Sequence, residues 1–105
     1  MQMQVGNNNS TSFTGMTPKH LKRFIPELSL ESAEKLSARL DKQLPNDEFQ
    51  ITEKQGNRLT HLMKLPGGFN LPVGEVIYSG PNTKAAKLNF LDALIQKVQS
   101  STLYK

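Results

Sequence analysis

At 105 residues, 36% hydrophobic and 21% charged, the chain has the length and composition of one globular domain with a modest core. It contains no cysteine, which excludes disulfides, thiolate metal sites and a cysteine nucleophile, and it has no apolar run near the ~18 residues that span a bilayer. A net charge of +4 permits an anionic partner without requiring one.

Residues 1–16, MQMQVGNNNSTSFTGM, are polar and carry no charged side chain. Such a composition offers too little apolar surface to offset ordering, so it predicts a disordered tail, with residues 17–105 forming a single domain. No basic segment followed by an apolar one is present, so a Sec-type signal is not expected. The tail resembles the uncleaved, Ser/Asn/Thr-rich leaders of bacterial type III effectors. That resemblance implies secretion by a leader-dependent, non-Sec route as the alternative to a cytoplasmic location.

Two helices follow. Thr17 can cap a helix and Pro18 suits its first turn, with Leu21, Phe24 and Ile25 on one face and Pro26 as the stop. Ser29 caps a second helix over about 30–44, whose buried stripe is expected at Leu30, Ala33, Leu36, Leu40 and Leu44. Pro45-Asn46-Asp47 ends it, and Asp47 and Glu48 read as part of that exit.

The period then changes. Phe49 and Ile51 alternate with polar neighbours, Lys54-Gln55-Gly56-Asn57 is turn chemistry, and Leu59, His61, Met63 and Leu65 share one face of a second strand. Pro66-Gly67-Gly68 breaks the pattern, and residues 72–78, PVGEVIY, supply a third strand. A last helix runs from about 83 to 99, with Leu88, Leu91, Leu94, Ile95 and Val98 in one stripe and Phe90 at its margin. Short hairpin connections make the sheet antiparallel. The expected class is α+β: a three-stranded antiparallel sheet packed by helices, in the order α-α-β-β-β-α.

Little here resembles an active site. His20 sits in a basic helical turn and His61 within a strand, and neither belongs to a metal-ligand spacing. His61 reads as a partly buried packing residue. Gly67-Gly68 lacks the Lys-Ser/Thr and helix of a phosphate-binding loop. No catalytic residue, metal or cofactor is expected, and binding is the expected activity.

Lys84 and Lys87 fall on the apolar side of the last helix, one turn or more before its leucines, where they are expected to snorkel into solvent past the sheet edge. Asn82-Thr83-Lys84-Ala85-Ala86-Lys87 resembles the Ser-Lys-Lys-x-Ala-Lys opening of the last helix in double-stranded RNA-binding domains. Pro45 and Phe49 resemble the proline and aromatic before strand one of that family. Its first hairpin carries Gly-Pro-x-His where this chain has Gly56-Asn57-Arg58-Leu59. The resemblance covers about residues 30–99. It implies duplex RNA as partner, with Lys84 and Lys87 at major-groove phosphates and Asn57 and Arg58 at a neighbouring minor groove. The alternative is a protein-interaction domain that uses Leu21, Phe24 and Ile25 as its contact face.

Overall fold

The computed structural model describes residues 14–100. Helix α1 spans Pro18–Phe24; Thr17 caps it by accepting the His20 N–H, and Pro18 occupies its first turn. It ends at Phe24, with Ile25 as its non-helical cap, because a residue preceding proline is pushed out of the helical region. Helix α2 spans Leu30–Gln43 behind the Ser29 cap, whose hydroxyl accepts the Ser32 N–H at 3.1 Å. Helix α3 spans Lys84–Gln99 behind Thr83, whose hydroxyl accepts the Ala86 N–H.

Between α2 and α3 lie β1 (Asp47–Ile51), β2 (Arg58–Leu65) and β3 (Phe69–Ile77). They form one antiparallel sheet in the order β1-β2-β3, so the α+β architecture and the element order stand as the sequence predicts. The third strand begins three residues earlier than its alternating pattern suggested. Gly67 and Gly68, both at positive φ, turn the chain so tightly that Phe69 already pairs with Leu65. Val73 is the extra residue of a bulge, since His61 faces Gly74 and Leu62 faces Pro72.

Residues opposite one another across the ladder share a face. On the helix side these are Ile51 and Leu59 with Val76, Phe49 and His61 with Gly74, Met63 with Leu71, and Leu65 with Phe69. The helices cover the first part of that face. Phe24, Leu21, Ile25, Ala33, Leu40 and Leu44 meet Phe49, Ile51 and Leu59 in one core, which Leu91, Leu94, Ile95 and Val98 of α3 complete. An aromatic trio joins α1, the end of the sheet and α3. Phe24 and Tyr78 meet edge to face at 5.5 Å, and Tyr78 and Phe90 lie 5.0 Å apart.

Three expectations change. The fold begins before residue 17: Met16 is 1% exposed within the core, the Gly15 N–H donates to the Asp47 carbonyl, and the Phe49 N–H donates to the Gly15 carbonyl. Gly15 adopts φ +70 against the Leu40 backbone, where a Cβ would approach to 2.8 Å. The tail reading therefore fails for residues 14–16, and the rest of it, residues 1–13, lies outside the described residues. Along α2 and its C-cap the buried line runs through Ala33, Ser37, Leu40 and Leu44, while Leu30, on the same side but in the first turn, is exposed and Leu36 is only partly buried. Asp47 and Glu48 are not a helix exit but the buried opening residues of β1.

Candidate functional site

Basic side chains of α1 are directed at backbone oxygen. Lys22 Nζ donates to the Leu28 carbonyl at 2.9 Å and Arg23 Nη1 to the Ile51 carbonyl at 2.9 Å. Lys22 thereby ties down the connection between α1 and α2, and Arg23 the end of β1, at carbonyls near the ends of these elements. Lys87 behaves in the same way. Its Nζ donates to the Phe24 carbonyl, at the C-terminal end of α1, at 2.8 Å and lies 5.4 Å from the Phe24 ring centroid.

Lys87 is therefore not a lysine that snorkels into solvent: it is 4% exposed. The reason is α1, a helix that stands in front of the sheet and puts an unsatisfied carbonyl within reach of α3. Lys84 is exposed, but one helical turn rotates it toward a groove between α2 and α3, beside Arg39 and Asp92, which pair at 3.0 Å. The two lysines thus address different surfaces. Asn57 and Arg58 are both exposed at the start of β2.

Asn57 and Lys87 do come together. A cleft of about 320 Å³ lies between α1, the β1–β2 turn and the start of α3, lined by Arg23, Phe24, Gln55, Asn57, Asn82 and Lys87. Lys84 and Arg58 do not line it. Arg23 is absent from any sequence motif for this cleft. The only hint was the crowding of basic residues in Lys19-His20-Leu21-Lys22-Arg23 on a helix without acids.

The histidines are both occupied by the fold. His20 is half-buried, with Nδ1 3.1 Å from both the backbone N and the carbonyl of Ile51. Burial holds its pKa below the ordinary imidazole value, with Arg23 and Lys19 acting in the same direction and the Ile51 carbonyl and Glu48 opposing. His61 is more than packing. It stacks on Phe49 at 4.5 Å, and its Nε2 lies 2.6 Å from Oδ2 of the buried Asp47. Beside it, Lys64 Nζ lies 3.5 Å from Glu48 Oε1. Two acids at the start of β1 are thus matched by two basic groups on β2, a pairing that alternation alone could not reveal. Among the described residues no cluster of histidine and acidic side chains has the makings of a metal site, and no helix is long and apolar enough to cross a membrane.

The apolar face expected for a protein partner is also displaced. Leu21, Phe24 and Ile25 are wholly buried and form the centre of the core. Among the described residues, most of the exposed large apolar groups lie toward the opposite end of the molecule, on the β2–β3 hairpin: Leu65, Leu71, Val73 and Phe69, the last 69% exposed, while Ile77, at the Arg58 end of β3, and Leu30 of α2 are exposed elsewhere. Leu65, Phe69, Leu71 and the half-buried Met63 occupy the helix side of the sheet, beyond the part that the helices cover.

Set against protein families, curated proteins and solved structures, the chain matches none.

Proposed function

We propose that the protein is a non-enzymatic binding module that seats an amphipathic helix of another protein on the helix-side face of its β2–β3 hairpin. The observation that carries this reading is the run of exposed apolar side chains there, Phe69 foremost. Exposed apolar patches of this kind on small domains mark interaction sites. Main-chain pairing is a poor fit for the partner. Although β3 is an edge strand, Pro72 lacks an N–H and Val73 bulges, so the edge offers no unbroken ladder. Side-chain packing fits better. The cross-strand pairs Met63–Leu71 and Leu65–Phe69 are two residues apart along the strands, ~6.6 Å, close to the ~6 Å between side chains at i and i+4 of a helix.

Duplex RNA is the weaker reading, because Lys87 is buried and Lys84 faces a different groove from Asn57. The leader-dependent export reading rests on residues 1–16, most of which lie outside the described residues. A pull-down from the source cells, with and without ribonuclease, discriminates the readings. The wild type should retain a protein that survives ribonuclease, and Phe69→Ser/Leu71→Ser should lose it while Lys84→Ala keeps it. Retention that vanishes with ribonuclease, or that ignores the hairpin substitutions, overturns the reading. So does a dimer in sedimentation that dissociates in the double variant, since the occupant would then be a second copy.

A further inference from the structure

The cleft between α1 and the start of α3 is a second, chemically different site, at the other end of the sheet from the hairpin tip. It collects two cations, Arg23 and Lys87, and the side-chain amides of Asn57 and Asn82, and no carboxylate lines it. Among the described residues neither cation forms an ion pair. Each has a single carbonyl partner, Ile51 for Arg23 and Phe24 for Lys87. A guanidinium carries five N–H donors and an ammonium three, so both retain donors beyond those bonds. A carbonyl supplies only a partial charge, and a buried ammonium without a counter-ion is costly. An anion seated in the cleft offsets that cost.

We infer that this cleft binds a phosphomonoester group. Two positive charges match the about −1.5 to −2 charge that a phosphomonoester carries near pH 7, and they exceed the single charge of a carboxylate or of a nucleic-acid phosphodiester. Arg23 offers the planar fork that grips two phosphate oxygens, while Lys87 acts as a point charge. Asn57 and Asn82, both exposed, stand at the mouth as amide donors to the remaining oxygen. The cleft is at the small end of ligand sites, which run from ~300 to ~1,000 Å³, so it takes the phosphoryl group and a short stem. The phosphoryl group can be borne by a small metabolite or by a phosphorylated serine or threonine of a protein.

Calorimetric titration of the whole chain with inorganic phosphate, at constant ionic strength, tests the inference. Saturable binding is expected, with sodium acetate giving none. Arg23→Gln should weaken it about tenfold or more. Because Arg23 and Lys87 also tie loops together, the exposed pair Asn57→Ala/Asn82→Ala provides the variant that keeps the fold, and it should weaken phosphate several-fold with an unchanged melting temperature. Glycerol phosphate and a phosphoserine pentapeptide then identify the bearer. Tighter binding of the first points to a metabolite and of the second to a protein, and either result upholds the phosphomonoester. Absence of saturation by about 10 mM phosphate, equal binding of acetate, or an Asn57→Ala/Asn82→Ala variant that binds like wild type overturns it. Preference for a short RNA duplex lacking terminal phosphates over inorganic phosphate does so as well. The hairpin substitutions Phe69→Ser/Leu71→Ser should leave phosphate binding intact, so the two sites fail or stand separately.

Discussion

The two ends of the sheet are built from similar residues put to opposite uses. At one end Phe49, Ile51 and Leu59 are sealed by α1 and α3, and Phe24 and Tyr78 interlock above them. At the other, Leu65, Phe69 and Leu71 continue the same face of the same strands and meet water. Alternation in sequence is equally clean at both ends. What separates them is the length of the helical layer relative to the sheet: α1 has only seven residues and packs on β1 and α2. Strand patterning therefore reports which face could be buried, and only the tertiary arrangement decides how far along the strand burial extends.

The largest test of this contrast is a matched pair of truncations. Phe24→Ala removes a wholly buried ring that touches Tyr78 and Phe90, so it should cost about 3–5 kcal/mol and leave the domain near its unfolding limit. Phe69→Ala should change stability by no more than ~0.5 kcal/mol. Urea denaturation of both variants measures the difference. Comparable losses would mean that the hairpin tip is covered in solution.

His61 lies near the boundary between the two ends, one pair beyond the sealed Leu59. His61→Ala should cost about 1–3 kcal/mol, because it removes both the stack on Phe49 and the hydrogen bond to buried Asp47. His61→Gln should recover part of this if the bond to Asp47 dominates, and little if the stack does. Thermal unfolding of the two variants separates the contributions. A neutral His61→Ala would show that the sealed region ends at Leu59.

The reach of the sequence can be judged at the same positions. The first two helix starts were legible because capping is local: Thr17 and Ser29 each accept the N–H three residues on, as Thr83, read as the first residue of the last helix, also does. The sheet order was legible because short turns permit only antiparallel neighbours. Lys87 was not legible, since its partner is a carbonyl 63 positions away in sequence. The same holds for Asp47 with His61 and for Arg23 with Ile51, which depend on register and on the placement of α1. Composition misjudged residues 14–16 for a related reason. Thr14 binds Asp41 of α2 through both its N–H and its hydroxyl, and Gly15 bridges to β1, contacts that a polar composition does not announce.

Within the sealed end, His20 supplies a pH dependence. Burial lowers its pKa in the fold relative to an unfolded value near 6.5. Below that value the unfolded chain binds a proton that the folded chain resists, so stability is present above pH ~6.5 and declines as pH falls through it toward the folded pKa. His20→Gln should flatten this decline, measured as unfolding free energy from about pH 7.5 to about pH 5.5, which brackets the imidazole transition. An unchanged slope would show that His20 does not carry the decline.

The smallest expected effect on the fold concerns the exposed end, at Pro72. It faces Leu62 beside the bulged Val73, in a strand whose residues are exposed almost throughout. Proline contributes no N–H, and an edge strand that combines proline with a bulge resists pairing with another strand. Pro72→Val restores a donor and a β-branched side chain on the surface, so the unfolding free energy should shift by no more than ~0.5 kcal/mol. Behaviour between molecules should change more. With a longer ladder available beside Phe69 and Leu71, the variant should self-associate in a concentration-dependent way that the wild type does not, read by sedimentation velocity. If it remains monomeric, the bulge alone blunts the edge. If the wild type already associates to the same degree, strand pairing is open along β3, and the partner of the hairpin is better sought among extended segments than among helices.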